Sequence, residues 1–220
     1  MLLSKSASLV AILLSINIGL PSAVAQTLPD DTALTSLGRS LRRILRDDEQ
    51  RDPPTTSRDD ICLITPVNLA ERETIWHHQP VFAWQGTVGK IEVIEIDTNA
   101  SLWQHIPENE ETTIAYSGEP LQSGKRYQWQ VYGVADLESP LLFQPFSLVS
   151  RPTQWLIANG LAVAASQTDG SAQNIAVAHV NYFTNRALYA DAIQVLFSAD
   201  PDAPEILAGQ TEIIKSLCQQ

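Results

Sequence analysis

The chain is poor in the residues from which the most recognisable sites are built. It has two cysteines, Cys62 and Cys218, and a single methionine, Met1. Two thiols are too few for a thiolate zinc cage or a disulfide-dense miniprotein. Lysine and arginine total 14 against 25 aspartates and glutamates, a formal net charge of −11. A surface that grips phosphate backbones needs basic side chains, so this balance argues against nucleic acid as a partner. A glycine-rich phosphate loop, a Gly-x-Ser-x-Gly elbow and an HExxH pair are all missing from the sequence. Without them the expectation is a protein with no catalytic residues, no cofactor and no metal, and not an enzyme.

The hydrophobic runs are also short. The longest, Leu9 to Leu20, is interrupted by Ser15, Asn17 and Gly19, and it falls well below the ~20 residues that span a bilayer. Lys5 precedes it, Pro21 ends it, and Ala23-Val24-Ala25 offers a small-x-small cleavage site before Gln26. This is the pattern of a secretory signal peptide over residues 1–25, cleaved near Ala25. No cysteine follows the run to carry a lipid anchor. The mature chain is expected to be extracytoplasmic, periplasmic or secreted, with no transmembrane segment.

What the sequence does contain is a folded composition, with 44% hydrophobic residues, and three zones of different character. Residues 26–60 carry Arg39, Arg42, Arg43, Arg46, Arg51 and Arg58 among a slight excess of acids. Leu34, Leu37, Leu41, Ile44 and Leu45 recur at helical spacing, and Asp52-Pro53-Pro54-Thr55-Thr56-Ser57 reads as linker. A docking or linker helix fits this mixed charge better than a membrane-bound one.

Residues 61–150 change period. Seven β-prone runs, Ile61–Val67, Val81–Trp84, Lys90–Asp97, Ser101–Ile106, Thr112–Tyr116, Arg126–Val134 and Phe143–Val149, are separated by turn-forming clusters, as in an all-β sandwich. Tyr127, Trp129 and Val131 alternate with Gln128 and Gln130, one dry face and one wet. The apolar set changes face at Val93-Ile94, so either a bulge or a strand covered on both sides is expected there. Residues 151–220 turn rich in alanine and leucine, with helices predicted over Trp155–Ala165, Ser171–Arg186, Tyr189–Ser198 and Glu205–Leu217.

Leu121-Gln-Ser-Gly124-Lys-Arg-Tyr127-Gln-Trp129 resembles the tyrosine corner of fibronectin type III and related immunoglobulin-like domains. There the glycine permits a tight turn and the tyrosine hydroxyl bonds back to the chain. Phe82-Ala83-Trp84 looks like the second strand of such a domain, whose tryptophan fills the core. Ser123 stands where that family often has proline. The resemblance implies an α+β chain: an N-terminal immunoglobulin/fibronectin III-like antiparallel sandwich followed by a small α-helical domain. Phe183, Tyr189, Ala192, Leu196, Ala199 and Pro204 are similar in spacing to one tetratricopeptide repeat, with Val180 where a smaller residue is usual. One unit implies a helical hairpin and not a solenoid. The whole combination resembles uncharacterised secreted cyanobacterial proteins, which implies a location and no activity.

The candidate residues are few. His77 and His78 are adjacent, and adjacent side chains in an extended chain point to opposite faces, so the pair does not chelate one ion. Asp97 to Glu108 begins like a calcium loop, but Leu102 occupies the position where the sharp turn requires glycine. Cys62 and Cys218 in an exported chain are either a bridge between the two regions or two separately buried thiols. Trp76 and Trp103, beside His77 and His105, form a possible exposed ligand patch. The expected function is a non-catalytic protein-interaction or scaffold protein of the cell envelope. The alternative is a carbohydrate-binding module for envelope polysaccharide that uses Trp76, His77 and Trp103.

Overall fold

The computed structural model describes residues 37–44, 57–58, 60–67, 73–108, 110–199 and 203–218. The expected signal peptide, its cleavage position near Ala25 and residues 52–56 of the expected linker lie outside the described residues, whereas Ser57, read as the end of that linker, is extended. The chain is mixed α+β: two sheets and five helices among the described residues. A first short helix, α1, covers residues 37–44. Nine strands follow: β1 (Ser57–Arg58), β2 (Ile61–Thr65), β3 (Thr74–Ile75), β4 (Val81–Gln85), β5 (Lys90–Glu95), β6 (Ala100–His105), β7 (Thr113–Ala115), β8 (Arg126–Tyr132) and β9 (Leu142–Leu148). Then come α2 (Arg151–Ser166), α3 (Ala172–Thr184), α4 (Tyr189–Ser198) and α5 (Pro204–Cys218).

The strands form a four-stranded sheet, β1-β2-β4-β7, and a five-stranded sheet, β3-β9-β8-β5-β6. Every pairing is antiparallel except that of β3 with β9. All seven predicted runs overlap strands, β2 and β4 to β9. The two they miss, β1 and β3, are two residues long and too short to show a period. The face change at Val93-Ile94 coincides with a register shift between β5 and β6, where Leu102 is the unpaired residue. The extra residue is on β6; β5 alternates without a break, Ile91 and Val93 toward the core and Glu92 and Ile94 on the other face, and its register with β8 is continuous.

Phe82 of β4 meets Trp129 of β8 with ring centroids 4.9 Å apart, which joins the inner faces of the two sheets. The four-stranded sheet is covered on its other face as well, since α5 packs on β2 and α4 on β2 and β4. Double coverage explains why every residue of β2 is buried and why Val81 to Trp84 is apolar without alternation. A single cluster of buried side chains runs through the five-stranded sheet, the four-stranded sheet and the helices.

Ser171 caps α3, its side chain accepting from the Asn174 N–H. Helix α2 begins at Arg151, four residues before the predicted start, because Pro152 suits a first turn and not an interior. Leu37, Leu41 and Ile44 bury one face of α1. Its polar side reaches α3 through Ser40 Oγ to Asn181 Oδ1 (2.6 Å) and Arg43 Nη1 to Asn185 Oδ1 (2.9 Å) just beyond it. No helix among the described residues is long and apolar enough to cross a membrane.

Candidate functional site

Trp76 and Trp103 do not share a surface. Trp76 follows β3, and Trp103 lies on β6, so they flank opposite edges of the five-stranded sheet. Four strand spacings separate those edges, roughly 19 Å. Each indole is partly buried with its N–H already bonded within the chain. Trp76 Nε1 donates to the Gln154 carbonyl at 3.2 Å, and Trp103 Nε1 to Ser117 Oγ at 3.0 Å. Trp103 stacks on Phe82 and on His105, whose Nε2 bonds Glu111 Oε2 at 2.7 Å. The exposed tryptophan is a different one, Trp155 on α2, at 68% accessibility.

The other sequence-named residues fall into place locally. The Gln122 N–H donates to Tyr127 Oη at 2.8 Å, Gly124 takes φ of +79°, and Leu121 is buried beside them. Burial, ahead of the backbone bond that opposes it, raises the Tyr127 phenol above its ordinary range. Cys62 and Cys218 are bonded to each other, tying β2 to the last turn of α5.

The polar centre of the molecule is a residue that the sequence reading passed over. Asp191, in the first turn of α4, is fully buried. It accepts the Trp76 N–H on both oxygens (2.9 and 3.0 Å) and His77 Nδ1 at 2.6 Å. One carboxylate thus fastens the end of β3 to the helices, with helix N-terminal geometry favouring its charge. A carboxylate only accepts, so His77 Nδ1 is the donor of this bond. The signal in the sequence is an acid within Tyr189-Ala-Asp191-Ala-Ile193, an otherwise apolar run.

His179 of α3 comes to the same place. The Leu161 carbonyl accepts a hydrogen bond from its ring, and Nε2 is buried with no hydrogen-bond partner among the described residues. Burial lowers its pKa, and the nearby His77 lowers it further against the opposing effect of the Leu161 bond. His77, His179 and Val195 together separate two clefts, one of about 730 Å3 between α3, α4 and α5, and one of about 320 Å3 toward α2. No protein-family model matches the chain, and no curated protein matches it. A third cleft, of about 610 Å3, runs between the segment 120–123 and α2, lined by Trp76, His78, Leu121, Arg151, Gln154 and Trp155.

Chemically, the His77–Asp191 pair has the form of a general base held in one tautomer. The one hydroxyl from a helix cap on this cleft, Ser171, is already bonded to the Asn174 N–H. Among the described residues, no group of three or more His, Cys, Asp and Glu side chains gathers around a common point for a metal.

Helix α2 presents a different kind of surface. From Pro152 to Ser166 it has no charged residue, in a chain of net charge −11. Ile157 and Leu161 face inward, while Trp155, Leu156 and Val163 are all more than half exposed. An outer helix normally turns charge toward water.

Proposed function

We propose that this chain is an exported, non-catalytic interaction protein of the cell envelope whose contact surface is helix α2. The observation that carries the reading is the uncharged, exposed face of Trp155, Leu156 and Val163. Contiguous apolar surface on a soluble fold marks a place where another macromolecule sits. The adjoining cleft beside Trp155 offers a recess for an apolar anchor from a protein partner, with Arg151 at its rim. The carbohydrate alternative has less to stand on, because Trp76 and Trp103 flank opposite sheet edges and their indole N–H groups are taken up by the Gln154 carbonyl and Ser117 Oγ.

The scaffold that carries this surface is read as an immunoglobulin/fibronectin III-like sandwich with a C-terminal α-helical domain. Strand order β2-β4-β7 against β9-β8-β5-β6 supports it, as does the Tyr127 hydroxyl bonded at the corner. The burial of Phe183, Tyr189, Ala192 and Leu196 supports the repeat-like hairpin of α3 and α4. Export rests on the sequence of residues 1–25.

A photo-crosslinking amino acid at Trp155, with a second at Phe143 of β9, which is also more than half exposed, tests the assignment in envelope extracts. Position 155 is expected to trap a discrete protein species, and Leu156→Asp to abolish it. Equal capture from both positions, or none from 155, would overturn the assignment.

A further inference from the structure

We infer that His77 and His179 form a binding site for one divalent transition-metal ion, coordinated through the two Nε2 atoms and completed by solvent. Metal-binding imidazoles hold the proton of the non-ligating nitrogen against a carboxylate or a backbone carbonyl, which fixes the tautomer and aims the ring. Both histidines have that arrangement. The His77 Nδ1 proton is held by the buried Asp191 carboxylate at 2.6 Å. The His179 ring is held by the Leu161 carbonyl, and its Nε2 is buried with no hydrogen-bond partner among the described residues. An unpartnered nitrogen in the interior is costly unless something occupies it.

The two rings come from β3's flank and from α3, and both line the same two clefts. The His77 ring is not free to turn away, since it also packs against Trp76 and Phe183 with centroids 4.9 and 5.8 Å apart. Two imidazoles with no thiolate suit Cu2+, Ni2+ or Zn2+ over the hard cations, with Cu2+ bound most tightly. Side-chain burial of His77 at 23% exposure leaves a path to solvent for water ligands. The two clefts that both imidazoles line are the space from which water or an exogenous ligand would complete the coordination. It is independent of helix α2's outer face and of the function proposed for it.

Untagged full-length protein with its disulfide intact is titrated calorimetrically at neutral pH with Cu2+ and, separately, Zn2+. A stoichiometry of one is expected. His77→Gln and His179→Gln should each weaken binding by at least about tenfold, while His78→Gln and His105→Gln leave it unchanged. Electron paramagnetic resonance of the Cu2+ complex of the wild-type chain reads the ligands without any variant. Hyperfine structure from two imidazole nitrogens is expected. Absence of binding at millimolar metal, or a Cu2+ spectrum with fewer than two imidazole nitrogens, would overturn the site. So would binding that persists in both folded single variants.

Discussion

The bond between Cys62 and Cys218 closes a loop with a sequence separation of 156 residues. Confining an unfolded chain of that length removes conformational entropy that the folded chain does not use. The chain-entropy relation puts the effect at about 17 cal/mol/K, or about 5 kcal/mol at 25 °C. Native disulfides of this kind deliver roughly 2–5 kcal/mol in practice, so the worked figure is the upper end. The bond does not hold α5 on β2 unaided, because Ile206, Ile213 and Leu217 of α5 are buried regardless. Reduction should therefore leave the native fold assembled and lower its stability. With a urea dependence of ~2 kcal/mol/M, a 5 kcal/mol loss moves the midpoint down by roughly 2.5 M. The assay is urea unfolding of the oxidised protein, the reduced protein and Cys62→Ala/Cys218→Ala, read by near-ultraviolet circular dichroism and tryptophan fluorescence. A midpoint that moves by less than about 0.5 M would refute the loop-entropy argument. Loss of the near-ultraviolet signal without denaturant would refute the claim that apolar packing holds α5.

Gly86 has φ of +89°, and a Cβ there would lie 2.0 Å from the Asp60 carbonyl oxygen; Gly124 has φ of +79° with nothing within 4 Å. Gly124→Ala should cost only the backbone term of ~1–3 kcal/mol, and Gly86→Ala distinctly more in the same urea titration; equal costs would remove the clash from the account. The Tyr132 phenol, buried and donating to Glu92 at 2.8 Å, is pushed up to about 12. Its pKa in the unfolded chain is near 10, so its stabilisation is complete below that value and is lost as pH rises from there toward 12. Comparison of wild type with Tyr132→Phe across that range should show the gap shrinking; a gap independent of pH would count against it.

Local order was legible because it is written in periods. Alternation located β8 and turn clusters bounded seven strands, while the change of face at Val93-Ile94 marks a register shift whose extra residue, Leu102, sits on the neighbouring strand β6. Leu37, Leu41 and Ile44 were identifiable as the buried stripe of α1 because helical spacing needs no partner to be seen. The two-residue strands β1 and β3 carry no period, and β3 exists only because β9 is beside it. The candidate site was far less legible. Trp76 and Trp103 were grouped by composition, whereas a sheet five strands wide separates them.

The sequence by itself determined which segments are extended, which are helical, where the chain turns at Gly124, and that two thiols exist in the chain. These follow from φ/ψ preference and from burial on one face, which neighbours along the chain are enough to express. Only the tertiary structure decided that Cys62 meets Cys218, that Asp191 binds the end of β3, and that His77 and His179 line one cleft. Each of those joins residues from segments distant in sequence, and their distance is set by which faces of which layers pack together. An isolated acid in an apolar run shows that some partner is required; the fold alone shows which one.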